Sequence, residues 1–261
     1  MHQRGQAVRF RGRVARVGAS ALLFWAVAGR GAAFAQAPPV PPPPPPVWTG
    51  SIGAGLALTS GNADTSNFNL AGKLTHDPRN PHLITAEGLH LRGTSEGETT
   101  VNRTAFNVRD EYTWTERTSF FGQLRYLRDT FKTIDYLVAP TGGVLYKLVD
   151  LEPTKFTIDA GGGVVWERNT GLGTNTSGAV TLGENFSHRF TSTTTLTQSA
   201  SGLWKTSDFG DSLYTIGISL AAAVTDRVQL KVELLELYKS QPPPGIEKGD
   251  VSFITSVVYS F

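Results

Sequence analysis

The chain has 261 residues, no cysteine, 28 glycines, 15 prolines and a hydrophobic fraction of 39%. The absence of cysteine excludes a disulfide scaffold and a thiolate metal site. No uninterrupted apolar run reaches the about 18 residues that a membrane-spanning helix needs, whereas the short alternating strands of a transmembrane β-barrel are compatible with this composition.

The first 35 residues have the features of a secretory signal peptide. A basic segment is followed by a short apolar segment at 21–28, and Ala33, Phe34 and Ala35 supply a small-x-small cleavage site before Gln36. The arginines of the basic segment are Arg4, Arg9, Arg11, Arg13 and Arg16. Because no adjacent arginine pair is present, we expect export through the Sec pathway.

The net charge of +2 depends on this N-terminal segment. Residues 1–35 carry six arginines and no acidic residue, so their removal leaves 18 basic against 22 acidic residues, a net charge of −4. The basicity of the whole chain therefore gives no support for nucleic-acid binding, which we do not expect.

A proline-rich segment follows the predicted cleavage site. Residues 38–46 contain eight prolines and one valine, a composition that favours an extended polyproline II rod. We interpret residues 36–47 as a periplasmic linker and residues 48–261 as a single outer-membrane domain.

From Trp48 onward, twelve segments with strand-like alternation are separated by turn-forming residues. The predicted spans are 48–60, 66–76, 82–93, 99–115, 118–130, 135–149, 154–169, 175–190, 192–206, 211–225, 227–241 and 249–261. No helical periodicity competes with this pattern, which predicts an all-β domain.

The segment 249–261 alternates most clearly. Phe253, Val257, Tyr259 and Phe261 fall on one face, and serines dominate the other. Bacterial outer-membrane barrels typically end with such a strand and a terminal Phe. We therefore predict that these four residues form an assembly signal for the barrel-assembly machinery.

The length and the number of the predicted strands distinguish a membrane barrel from a soluble β-sandwich. The segments run to roughly 11–16 residues, against about 5–6 in globular sheets, and bacterial single-chain barrels have an even number of strands. An open edge in lipid would leave backbone groups without partners, so the sheet should close. We predict a monomeric, up-and-down antiparallel β-barrel of about 12 strands in the outer membrane of a Gram-negative bacterium, in contact with lipid and lipopolysaccharide.

Some segments fit this pattern poorly. Glu87, Asp110 and Glu184 fall on the predicted lipid-facing side, where a charge is costly. The registers of the third, fourth and eighth strands are accordingly the least well determined by sequence.

Several short motifs resemble one known family. They are the segments 58–62 (LTSGN), 161–167, 238–243 (YKSQPP) and 258–261 (VYSF), with Gly142, Gly143, Tyr146 and Asp250 between them. In this order they resemble the salt-induced outer-membrane protein family, a YdiY-like group whose domain has no known function. The resemblance covers about 50–261 and implies an outer-membrane barrel, in some members linked to salt or acid response, without established catalytic residues.

Two groups of residues suggest chemistry other than a channel. Asn185, Ser187 and His188 suggest an outer-membrane lipid hydrolase, but on a strand Ser187 and His188 point to opposite faces, which disfavours a hydrogen-bonded catalytic pair. His76 and His82 flank a turn and are more simply read as solvated than as metal ligands. We therefore expect no catalytic residue, no metal site and no cofactor.

The remaining chemistry lies on the predicted inner face. The charged residues that alternate onto it are Lys73, Arg109, Glu111, Arg125, Asp159, Glu167, Arg189, Lys205, Lys231 and Glu233. A barrel of 12 strands lies between filled barrels of eight and water-filled porins of 16–18. We favour a narrow passive channel with charge selectivity, or a barrel related to salt or envelope stress. The alternative is a structural barrel that is plugged by ion pairs and does not conduct.

Overall fold

The computed structural model describes residues 46–60, 65–95 and 98–261. The predicted signal peptide, most of the proline-rich linker, and Gly61 and Asn62 of the first hairpin motif lie outside these ranges. Within them, no helix is long and apolar enough to cross a membrane.

The described residues form twelve strands, which correspond closely to the predicted segments. They are β1 (Trp48–Ser60), β2 (Thr65–His76), β3 (His82–Ser95), β4 (Glu98–Thr113), β5 (Thr118–Asp129), β6 (Ile134–Asp150), β7 (Thr154–Asn169), β8 (Thr174–Arg189), β9 (Thr194–Lys205), β10 (Asp208–Ala223), β11 (Val228–Lys239) and β12 (Gly249–Ser260). Each strand pairs antiparallel with its chain neighbours, and β1 pairs with β12. The predicted closed, twelve-stranded antiparallel barrel is confirmed.

The seam between β1 and β12 completes the hydrogen bonding of the wall. Its register runs from Ser51 opposite Ser260 to Ser60 opposite Val251. Beyond it, the backbone N–H groups of Gly50 and Phe261 donate to each other's carbonyl oxygens at 3.0 and 2.9 Å. Because every strand has two partners, the sheet has no free edge, as a wall in contact with lipid requires.

The barrel has two distinct ends. The turn end carries the start of β1, the end of β12 and the connections 77–81, 114–117, 151–153, 190–193 and 224–227. The loop end carries the ends of β1 and β3 and the connections 130–133, 170–173, 206–207 and 240–248.

The outer face of the wall is apolar. Its exposed side chains include Ile52, Leu56, Phe68, Leu182, Ile218 and Leu234, and aromatic side chains such as Trp48, Tyr112, Trp114 and Phe190 gather near the turn end. A continuous exposed surface of this kind is unusual on a soluble protein and matches the lipid-facing belt and aromatic girdle of a transmembrane barrel. Phe253, Val257, Tyr259 and Phe261 are exposed on this outer face.

Glycines let two strands approach unusually closely between β6 and β7. A Cβ atom added to Gly163 would lie 2.1 Å from the carbonyl oxygen of Pro140, and one added to Gly143 would lie 2.1 Å from that of Ala160. Both obstacles are backbone atoms that a side-chain rotation does not remove. The close approach of β6 and β7 therefore depends on the absence of side chains here.

The structure corrects the predicted orientation of Glu87. This residue lies opposite Lys73 in the β2–β3 register, and the two side chains form a 2.7 Å ion pair on the inner face. Inward-facing Leu89 and Leu91 of the same strand are apolar, so β3 presents apolar residues on both faces and its alternation cannot be read from sequence.

Asp110 and Glu184 do face outward, as predicted. Asp110 lies near the turn end, where His82 approaches its carboxylate at 3.1 Å. Glu184 accepts a 2.8 Å hydrogen bond from the side-chain amide of Gln198. Each acidic group thus has a polar partner on the outer surface, which lowers the cost of its position.

Candidate functional site in the barrel lumen

The lumen is divided along its axis into a dry half at the loop end and a polar cavity at the turn end. In the dry half, inward side chains from β5 to β11 pack together across the lumen. They are Leu127, Ile134, Leu137, Ala139, Val165, Ala179, Leu203, Leu213 and Leu237, each at most 5% exposed. A water-filled channel would leave such inward side chains exposed, so the packing closes this half.

The connection 130–133 folds into the lumen and completes this closure. Phe131 is only 6% exposed and packs with Ala57, Leu91 and Ile254. Lys132 is fully buried, and its Nζ donates to the carbonyl oxygens of Glu247 and Lys248 at 2.9 and 2.6 Å. A short hairpin connection is thereby anchored inside the barrel instead of extending outward.

Two buried charge clusters flank the apolar layer. In the first, Arg103 pairs with Asp129 at 2.5 Å and approaches Asp250 at 3.6 Å, and Lys132 pairs with Asp250 at 2.9 Å. Asp129 also accepts a 2.9 Å hydrogen bond from the backbone N–H of Phe131. Two cations balance two anions, which reduces the penalty for burying charge and fixes the inserted connection.

The second cluster is centred on Glu167. Its carboxylate binds Lys205 and Lys239 at 2.6 Å each, and both lysines also contact Asp211, at 2.5 and 3.4 Å. Glu167, Lys205 and Lys239 are each at most 5% exposed. This cluster is likewise electrically neutral, and it ties β7, β9, β10 and β11 together across the inner face.

We define the lumen plug as the apolar layer, the connection 130–133 and these two charge clusters. Its members come from both sides of the β1–β12 seam and from opposite parts of the wall.

The turn-end half contains a cavity of about 620 Å³. Its wall is rich in hydroxyl and amide groups, contributed by Ser51, Asn69, Asn107, Asn185, Thr197, Ser199, Ser201, Thr215, Ser219, Gln229 and Ser256. Charged members of the wall include the Lys73–Glu87 pair, the Lys231–Glu233 pair at 2.8 Å, and Arg125. We call this space the lumen cavity.

The predicted inner-face charges occupy different parts of the interior. Glu167 and Lys205 lie in the plug, whereas Lys73, Arg125, Lys231 and Glu233 line the lumen cavity. Arg109 contacts Glu111 at 2.7 Å and Asp159 at 3.7 Å, and its guanidinium lies 3.8 Å from the ring centroid of Phe121.

Arg189 stands apart from the other predicted charges. It lies at the turn-end rim, half exposed, and pairs with exposed Glu152. The structure does not bring it together with the others.

Sequence reasoning missed most of the plug. Arg103, Asp129, Asp211, Lys239 and Asp250 are inward-facing but were not among the predicted lumen charges. Arg103, Asp129 and Lys239 could have been found from sequence. Each lies an even number of positions from a residue of the same strand that was assigned to the inner face, so continuing the alternation to the end of the strand places it inward. Insertion of Lys132 has no such signal, because it lies in a connection.

The described residues do not form the lipid-hydrolase site or the metal site that the sequence suggested as alternatives. Ser187 and His188 point to opposite faces of β8, and Nδ1 of His188 is hydrogen-bonded to Thr154 Oγ1 at 2.8 Å. His76 stacks on Trp48, while His82 contacts Asp110. In the described ranges, no group of three or more His, Asp or Glu side chains is arranged to hold a metal ion.

Comparison with known proteins places the chain in a family. The family model described as "Protein of unknown function, DUF481" matches residues 52–261, in agreement with the resemblance to a YdiY-like group of unknown function. No curated protein matches the chain.

Solved structures with a similar wall are outer-membrane barrels. The NanC porin in a rhombohedral crystal form has a TM-score of 0.55 and 11% identity, covering 80% of this chain and 98% of that chain. The KdgM porin in complex with disordered oligogalacturonate has a TM-score of 0.47 and 13% identity, over 81% and 99% of the two chains. The COG4313 outer membrane channel from Pseudomonas putida F1 has a TM-score of 0.46 and 12% identity, over 87% and 100%. At these identities the likeness concerns the fold alone.

Proposed function

We propose that this chain, which belongs to the DUF481 family of proteins of unknown function, is an outer-membrane barrel whose lumen is closed at rest by the lumen plug. The observation that carries the proposal is the dry loop-end half, in which Phe131, Lys132 and Glu167 are at most 6% exposed. The barrel is then a plugged envelope protein in its resting state, and any solute passage requires the connection 130–133 to leave the lumen.

Placement in the outer membrane is supported by the exposed apolar belt and the closed wall. We propose that the turn end faces the periplasm and the loop end faces outward. Arg92, Arg128 and Arg168 lie on the outer face near the loop end, where guanidinium groups would bind the phosphates of lipopolysaccharide. Export by the Sec pathway, assembly through the C-terminal strand and a monomeric state are parts of the same proposal.

A narrow passive channel is the second candidate, because the lumen cavity already provides a polar half-channel of about 620 Å³. The two candidates differ in one property. The passive channel conducts without rearrangement, whereas the plugged barrel conducts only after its plug is displaced. A salt-linked role, which the family resemblance implies for some members, is compatible with either candidate.

Removing the inserted connection should convert a silent barrel into a conducting one. In planar bilayers we expect refolded wild-type protein to give no stepwise openings, and the double variant Phe131→Gly, Lys132→Gly to give frequent openings. The physical reason is that this variant removes the apolar anchor and the cation that hold the connection inside. Circular dichroism and heat-dependent gel mobility establish that each sample is a folded barrel.

The matched control is Leu172→Gly, because Leu172 lies in another loop-end connection but is exposed. It should remain silent. Phe131→Ala, which leaves the ion pairs intact, serves if the double variant does not fold. Stepwise openings by the wild type at the same frequency as the variant would reject the plugged barrel and favour the passive channel.

A further inference from the structure

The lumen cavity has the dimensions of a small-molecule site. Its volume of about 620 Å³ lies within the range of roughly 300–1,000 Å³ that ligand pockets occupy. Ser51 and Lys73 line both this cavity and a depression at the turn-end rim, so the cavity is reached from the turn end. The plug closes the opposite side, which makes the cavity a blind pocket.

Arg125 is a charged group of the cavity wall whose guanidinium is not in direct contact with an anion. Among the described residues its guanidinium makes no ion pair and no hydrogen bond, although it lies on the cavity wall. The neighbouring carboxylate of Asp159 is instead directed to Arg109, at 3.7 Å. A guanidinium presents a planar fork of donors that matches a carboxylate, and such charge-assisted contacts are among the stronger hydrogen bonds.

The other charges of the cavity wall are compensated. Lys73 is paired with Glu87, Lys231 with Glu233, and Arg103 with Asp129. Each of these pairs sums to zero. Arg125 lies in the electrostatic field of Asp159, but its guanidinium donors bind no carboxylate directly, so they remain open to a ligand. A ligand carboxylate would fill this position, which a neutral molecule fills less well.

Two amide oxygens on the same wall also lack partners. Asn69 Oδ1 and Asn107 Oδ1 are buried and accept no hydrogen bond from the described residues. Asn107 lies directly opposite Arg125 in the β4–β5 register. An unsatisfied buried acceptor is costly, and a ligand hydroxyl would supply the donor.

We infer that the lumen cavity binds a small polyhydroxylated molecule that carries one carboxylate. Arg125 binds the carboxylate, Asn107 accepts from a neighbouring hydroxyl, and the serine and threonine hydroxyls of the wall bind the remaining hydroxyls. This inference goes beyond the proposed function, since it holds whether or not the plug opens.

Isothermal titration of refolded protein in detergent with sodium gluconate tests it. Gluconate supplies one carboxylate and several hydroxyls. Glucose lacks the carboxylate, and acetate lacks the hydroxyls. Inorganic phosphate is an anion that lacks both the carboxylate and the hydroxyl-bearing carbon chain. We expect gluconate to bind at least tenfold more tightly than each of the other three. Arg125→Gln should weaken gluconate binding at least tenfold, Arg125→Lys less, and Asn107→Ala severalfold.

The matched control is Arg128→Gln, because Arg128 is a strand neighbour of Arg125 that points to the outer face. It should leave gluconate binding unchanged. Equal binding of glucose, acetate or phosphate, or unchanged binding by folded Arg125→Gln, would overturn the inference. If Arg125→Gln does not fold, Arg125→Lys and Asn107→Ala carry the test. Conductance is measured separately, so failure of the binding site is distinguishable from failure of the plug.

Discussion

Glu167→Gln is expected to lower the free energy of unfolding of the barrel by about 3–5 kcal/mol, the usual effect of removing one partner from a buried ion pair. The substitution leaves Lys205 and Lys239 with Asp211 alone, so the cluster acquires one uncompensated positive charge. Since both ammonium groups are at most 5% exposed, water does not screen that charge. Equilibrium denaturation of refolded protein in detergent or lipid measures the change.

Glu233→Gln is the control for this prediction. Glu233 also pairs with a lysine on the inner face, but both partners lie in the hydrated cavity and are 25–32% exposed. Its loss should cost no more than about 1 kcal/mol. The double variant Glu167→Gln, Lys205→Gln should recover part of the lost stability, because it restores neutrality. If Glu167→Gln and Glu233→Gln lower the free energy of unfolding by the same amount, the buried cluster does not stabilise the barrel as inferred.

Gly163→Ala should prevent formation of the closed barrel or strongly destabilise it. Overpacking typically costs about 1–3 kcal/mol, and we expect a loss at or above the upper end of that range. The new Cβ would lie 2.1 Å from the carbonyl oxygen of Pro140 and 2.8 Å from the Cα of Thr141. Both are backbone atoms of β6, so relief requires the two strands to separate. Loss of heat-modifiable gel mobility, with circular dichroism, would report the failure.

Gly122→Ala provides the comparison. Gly122 lies in β5 opposite Gly142 of β6, but an added Cβ meets no atom within 4 Å. This variant should refold with the same yield as the wild type. A normal yield of closed barrel from Gly163→Ala would show that the contact between β6 and β7 tolerates a side chain at this position.

The fold was predictable because the outer face is predominantly apolar. Lipid-facing residues such as Ile52, Leu56 and Leu234 recur at every second position over strands of 12–17 residues, and this regularity specifies strand positions and number. Prediction fails where the interior is also apolar. In β3, Leu89 and Leu91 point into the lumen, so alternation disappears and Glu87 was placed on the wrong face.

The functional interior was predictable only in part, for a different reason. Strand alternation assigns Arg125 and Glu167 to the inner face but does not show that one lines a cavity and the other is buried in a cluster. That difference depends on the height of each residue in the barrel and on the connection 130–133. The insertion of Phe131 and Lys132 is a tertiary event without local sequence periodicity.

The β1–β12 seam has a consequence for the rate at which the protein folds. The seam joins distant parts of the chain, as in the buried hydrogen bond between Thr59 and Ser252, which are 193 positions apart. Arg103, Lys132 and Asp250 meet only after these segments have come together. Contacts between residues far apart in the chain are slow to form. We therefore expect the strands to pair with their chain neighbours early in folding, and the seam and the lumen plug to form late. During that interval the lumen is open and hydrated, which is the period when proteases and solutes have access to it.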